Sequence, residues 1–183
     1  MKRILFAAIA LALFQSCAKQ ADDVARTPVY KKFVFGQAKP GLCTLTGSLP
    51  LSNQHCYDLF LLKDNQLYVD TLMNTNPFST IVNALYNSSL PPALNAMSFQ
   101  NQPMPAAQYQ IAQTLLDSFP SYLLSHPDTI MGTPGSRDQA LVYLAITFPN
   151  DTVQQWALDT DTAALPAPIR NYVRRVFNTS SSL

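Results

Sequence analysis

Ala140 to Phe148 is a continuous run with no charged residue, and it holds Val142, Tyr143, Ile146, Thr147 and Phe148. An apolar run of this length, rich in β-branched and aromatic side chains, reads as a buried strand. Pro149-Asn150-Asp151 turns the chain. Val153 to Asp159, which carries Trp156, returns as the partner strand. A buried strand needs cover, so the rest of the chain is read around this hairpin.

The segment before it changes period along its length. Tyr30 to Phe35 is short and rich in β-formers. Leu42 to Thr46 and Cys56 to Leu62 read as strands about a turn at Gly47-Ser48-Leu49-Pro50. Asp64-Asn65, set between two apolar stretches, reads as a hairpin turn. Together these predict a small meander. Asn76-Pro77 then offers an N-cap and an N1 proline. Phe78, Ile81, Val82, Leu85 and Tyr86 follow at helical spacing, and Pro91-Pro92 ends that helix. Residues 93–105 read as a loop. A second helix is expected from Ala106 to Phe119, with Ile111, Ala112, Leu115 and Leu116 facing in, and a further turn at Tyr122-Leu123-Leu124. The last element runs from Pro168 to Phe177 on the stripe Ile169, Tyr172, Val173, Val176 and Phe177. Strands, helices, then a hairpin and a helix predict a single α+β domain with small antiparallel strands and about three helices.

Lys2-Arg3, an uncharged stretch from Ile4 to Phe14 and Gln15-Ser16-Cys17 have the layout of a secretory signal. The apolar stretch falls short of the roughly 20 residues a permanent membrane helix needs. Leu13-Phe14-Gln15-Ser16-Cys17 resembles a bacterial lipobox in the loose form of Bacteroidota lipoproteins. Gln20-Ala21-Asp22-Asp23 resembles the acidic signal that directs some of these to the cell surface. The resemblance implies acyl chains on Cys17, an outer-membrane location and a membrane as partner through the anchor. Two or more acyl chains hold a protein firmly, whereas one does not. The implied organisation is a signal peptide over 1–16, the lipidated cysteine and a flexible tether over 17–28, the α+β domain over 29–178 and a disordered tail over 179–183.

Composition narrows the chemistry. The charged fraction of 13% is low. Without Lys2 and Arg3 the formal charge moves from +1 to −1, which leaves no electrostatic footprint for nucleic acid. There is no glutamate, so carboxylate acid–base chemistry would fall to aspartate. With Cys17 lipidated, Cys43 and Cys56 remain as an even pair in an oxidising compartment, and a disulfide is expected between them. It would close a loop of about 14 residues and contribute on the order of 3 kcal/mol. His55 beside Cys56 lacks the paired spacing of a structural metal site, so no metal or cofactor is expected.

A nucleophilic triad would need His126, with Ser125, Asp128 or Ser136. No Gly-x-Ser-x-Gly elbow accompanies it, and Gly132-Thr133-Pro134-Gly135-Ser136 lacks the lysine of a phosphate loop. Trp156, Tyr143, Tyr172 and Phe177 are read as core before groove. Arg170, Arg174 and Arg175 could meet anionic headgroups or a glycan, and are read first as a solvated helix end that complements the helix dipole. An Asp-Thr pair followed by an apolar residue recurs at Thr71, Thr129, Thr152 and Thr162. It resembles the O-glycosylation site of Bacteroidota envelope proteins, and turn chemistry of Asp and Thr gives the same pattern. The leading expectation is a non-enzymatic binding or accessory module with an envelope protein or glycan as partner. The alternatives are an envelope hydrolase using His126 and a structural subunit of a surface assembly.

Overall fold

The computed structural model describes residues 28–38, 57–71, 97–134 and 140–183. Strand β1 spans Lys32–Ala38, β2 Tyr57–Lys63, β3 Gln66–Val69, β4 Thr129–Met131, β5 Leu141–Thr147 and β6 Val153–Asp159. They form one sheet in the order β3-β2-β1-β5-β6-β4. Every pairing is antiparallel except β4 with β6, which run parallel. The helices are α1 (Ala106–Asp117), α2 (Ser121–Leu124) and α3 (Arg170–Ser182). This is an α+β single domain, and the expected fold class holds.

β5 lies between β1 and β6, with Phe35 opposite Leu144 and Leu144 opposite Trp156. All seven of its residues are buried. Alternate side chains point to opposite faces of a strand. Val142, Leu144 and Ile146 therefore join the main core with Phe33, Phe35, Phe60 and Leu62. Leu141, Tyr143 and Ala145 join a second cluster with Val34 and Leu59. Two buried faces erase the alternation a one-sided strand would show, which is why the sequence reads as an unbroken apolar run. The helices cover the first face with Ala112, Leu115, Leu116, Leu123, Ile169, Val173 and Val176. Phe119 is the hub of the aromatic packing, with ring centroids 5.9 Å from Phe33, 5.3 Å from Trp156 and 5.5 Å from Tyr172.

The turns follow from local chemistry. Asp64 and Asn65 both take positive φ, 52° and 58°, as the tight turn joining β2 to β3 requires. Asp151 does the same at φ 62° between β5 and β6, where Asn150 Oδ1 accepts from Thr152 N at 3.2 Å. Gly36, at φ 153°, lies against β2. A Cβ there would stand 2.0 Å from the carbonyl oxygen of Asp58, so only glycine fits.

Three expectations need correction. The helix from Ala106 ends at Asp117, and its Ile111 faces out with 49% exposure while Ala112, Leu115 and Leu116 are buried. Ile111 lies at the edge of the apolar arc, and the core closes without it. The final helix is preceded by a single 3₁₀ turn, Ala167–Ile169, and does not stop at Phe177. Its helical bonds continue to Ser182, so the expected disordered tail at 179–183 is the last turn of α3. Ser180 is buried there, Ser181 Oγ accepts from Gln37 Nε2 at 2.9 Å, and Leu183 O accepts from Gln108 Nε2 at 3.1 Å. β4 lies where no strand is read in the sequence, because its three residues carry too little pattern. The helix over Asn76–Tyr86, the strand over Leu42–Thr46 and the Cys43–Cys56 pair lie outside the described residues.

Candidate functional site

His126 occupies an exposed corner between α2 and β4. Its ring stacks on Tyr122 at 4.2 Å between centroids, 19° from parallel. Nδ1 lies 2.8 Å from the carbonyl oxygen of Tyr122 and 3.1 Å from Ser125 Oγ. A carbonyl can only accept, so Nδ1 carries the hydrogen and donates it to Tyr122. Ser125 Oγ turns to the same carbonyl at 2.9 Å. The ring nitrogen beside the serine is thus a donor, and a general base needs a lone pair at that place. Asp128 does not orient the imidazole. It sits at φ 52° and its Oδ1 accepts from Gln155 N on β6 at 3.0 Å. Ser125, His126 and Asp128 therefore share one exposed corner but not the relay a triad requires. Ser136 lies outside the described residues.

What this corner does instead is attach β4 to the sheet. Trp156 Nε1 donates to the carbonyl of His126 at 2.8 Å, and Thr129 Oγ1 donates to the carbonyls of His126 and Pro127, both at 2.9 Å. At the other end of β4, Gly132 turns at φ 76° against Asp159. Asp159 is buried, and its Oδ2 accepts from Thr133 N at 2.8 Å and from Thr133 Oγ1 at 3.2 Å. Its Oδ1 accepts from Asp161 N at 2.8 Å. One carboxylate thus ties the turn after β4 to the turn after β6 through three bonds, and hydrogen bonds to a carboxylate are of the stronger kind. Sequence reading did not single out Asp159; its one signal is an aspartate closing an apolar strand.

The Asp-Thr pairs all fall at element ends. Thr71 Oγ1 donates to Ser98 O at 3.3 Å, and Thr152 Oγ1 to Asn150 Oδ1 at 2.7 Å. Asp161 caps a 3₁₀ turn by accepting from Ala163 N at 3.0 Å, while Thr162 Oγ1 accepts from Arg174 Nη2 at 3.1 Å. Of the four threonines Thr152 is exposed, and Thr71, Thr129 and Thr162 are half-buried.

No family model, curated protein or solved structure matches the chain. Its chemistry is read from its own residues alone.

The aromatic candidates belong to the core. Trp156 and Tyr143 are fully buried, and Tyr172 nearly so; Phe177 packs at the margin. Burial pushes the Tyr143 phenol up, and the charge of Asp128 adds to it. Burial likewise raises Tyr172, opposed by the guanidinium of Arg175, whose Cζ lies 5.7 Å from the ring centroid. Among the described residues, no group of three His, Cys, Asp or Glu side chains could hold a metal ion, and no helix is long and apolar enough to cross a membrane. Cys17, Cys43, Cys56 and His55 lie outside the described residues.

The arginines do not sit where the expectation put them. Because α3 runs on to Ser182, Arg170 is its first residue and Arg174 and Arg175 fall in its first half. Cations are favoured at a helix C-terminus, so these three do not complement the dipole. All three are exposed on a helix that carries no acidic residue.

Proposed function

We infer that the chain is a lipoprotein of the cell envelope, held in the outer membrane through acyl chains on Cys17, and that its α+β domain acts as a non-enzymatic binding or accessory module. The observation that carries the reading is the order of residues 2–23: two cations, an apolar stretch, Ser16-Cys17, then Gln20-Ala21-Asp22-Asp23. The cations hold the leader on the inner side while the apolar stretch enters the bilayer, and the small residue before Cys17 suits cleavage there. The described domain starts at residue 28, eleven residues beyond Cys17, which leaves room for a tether.

The donor role of His126 Nδ1 next to Ser125 counts against hydrolysis at the corner where that alternative had its residues. The partner fitting this reading is an envelope protein or a glycan. Intact mass of the protein from its native host tests the anchor. Diacylglycerol and fatty-acid mass on a chain beginning at Cys17 is expected, and an unmodified cysteine would overturn it. Crosslinking in intact envelopes tests the module reading. A reproducible partner is expected, and hydrolysis of envelope substrates abolished by His126→Ala would overturn it.

A further inference from the structure

We propose that the outward face made by α3 and the end of α1 rests on an anionic lipid surface, with Arg170, Arg174 and Arg175 meeting headgroup phosphates and Ile111 entering the interface beside them. The proposal rests on the anchor reading for what brings the face to a membrane; its chemistry stands on the face itself.

The three guanidiniums are fixed but not neutralised. Arg170 Nε donates to Leu165 O at 2.8 Å and its Nη2 to Ala163 O at 3.3 Å. Arg174 Nη2 donates to Thr162 Oγ1 at 3.1 Å, and Arg175 Nη2 to Ser118 Oγ. Every acceptor is a neutral oxygen. The two ion pairs among the described residues, Lys31–Asp151 and Lys63–Asp64, use lysines. Asp161, the nearest acid along the chain, accepts from Ala163 N, and Asp117, beside Ser118, accepts from Gln113 Nε2. Neutral partners hold each cation in place and leave its charge to act outward. Arg170 lies in the first turn, where the dipole disfavours a cation, and Arg174 and Arg175 lie beyond it, so complementing the dipole is not what the three serve.

The face also carries an apolar knob. Ile111 and Val29, exposed by 49% and 76%, are the large exposed apolar residues among those described. Ile111, Thr114 and Ser118 share one ridge of α1. Thr114 Oγ1 folds back to Ile111 O at 2.7 Å, and Ser118 Oγ to Thr114 O. The ridge ends at Ser118, where Arg175 docks. The cations are spread over about 8 Å of a convex helix, five residues at about 1.5 Å each. They do not converge on a cleft. An array of that form fits many phosphates in a plane, not one small anion.

Tyr30 Oη donates to Gln113 Oε1 at 3.4 Å, and Gln113 Nε2 donates to Asp117 Oδ1 at 2.9 Å, next to Ser118. The chain therefore enters the domain against α1. The eleven residues from Cys17 to Pro28 reach at most about 40 Å when fully extended. An anchor at Cys17 would keep the domain within that distance of the bilayer.

The test uses the protein purified from its host in detergent. Intact mass is taken first, so that the anchor is scored on its own. The protein is then mixed with vesicles of phosphatidylcholine, with or without phosphatidylglycerol. Phenylglyoxal modification of each arginine is mapped by peptide mass spectrometry. We expect several-fold slower modification of Arg170, Arg174 and Arg175 on the anionic vesicles, lost in high salt. Equal rates on both vesicles would overturn the proposal, as would protection by an acidic protein but not by anionic vesicles. If the mass shows no acyl chains, the anchor reading falls and flotation still tests the face. Three cations near the surface should then favour anionic over neutral vesicles by on the order of 100-fold. The variant R170Q/R174Q/R175Q should lose that preference, and its retention would also overturn the proposal.

Discussion

The indole nitrogen of Trp156 donates to the main-chain carbonyl of His126 at 2.8 Å, while the ring itself is fully buried. One side chain thus binds an exposed corner to the core. Trp156→Phe keeps most of the apolar contact and loses the bond, so it should cost about 1–3 kcal/mol. The shift of the urea midpoint, followed by far-ultraviolet circular dichroism, measures this. Trp156 is the single tryptophan, so native emission should be that of a dry indole and should move to longer wavelength on unfolding.

Two buried tyrosines should respond oppositely to loss of the hydroxyl. Tyr143 Oη donates to Gln155 Oε1 at 3.1 Å, whereas no described residue accepts from Tyr172 Oη. Tyr143→Phe should destabilise by about 1 kcal/mol, and Tyr172→Phe should be neutral or stabilising by a similar amount. Equal losses in urea titrations of the two variants would contradict this.

The same burial sets a dependence on alkaline pH. Both phenols are raised above their usual value of 10.0 in the folded state. Below that value they are neutral folded and unfolded, so stability does not depend on them. Above it the unfolded chain ionises first, and stability falls as pH rises towards the raised folded values. Comparing urea midpoints at pH 8 and pH 11 should show this loss, and Tyr172→Phe should reduce it.

Removing Thr179–Leu183 separates a helical end from a loose one. The truncation deletes the buried Ser180, the Gln37–Ser181 bond and the Gln108–Leu183 bond. A loss of about 2 kcal/mol is expected from these together. A truncated chain with unchanged melting temperature would mean the last turn contributes nothing.

Gly132→Ala tests the junction at Asp159. The added Cβ would lie 2.5 Å from Asp159 Cβ, at a backbone φ of 76° that disfavours a side chain. A cost of about 2–3 kcal/mol is expected by calorimetry. Thr133→Val, which keeps the main-chain bond to Asp159, should cost less.

The legible parts of this fold were those where one residue type has one local use. Asp64-Asn65 and Pro149-Asn150-Asp151 turn the chain as their chemistry requires, and the run at 140–148 is the central strand. Burial on both faces made that run easy to find and hid its register. The edges were harder. β4 is only three residues long and is held by Asp128 just before it and by Trp156 and Asp159, which are distant in sequence. Ile111 fits the helical stripe, and only the finished packing shows that the core closes without it. The final serines carry no hydrophobic signal, so their helix depends on partners at Gln37 and Gln108. For the arginines, the residues were evident and their place in the helix was not, because it depends on where the helix ends.

Phe35 pairs with Leu144, and most of the chain lies between them. β1 can pair with β2 early, but its other edge lacks its neighbour until β5 has been made. A polypeptide emerging from the ribosome keeps Phe33, Val34 and Phe35 paired on one side only for most of its synthesis, and pairings this distant in sequence form slowly. The sheet is therefore completed late, a consequence of the same wiring that fixes its final order.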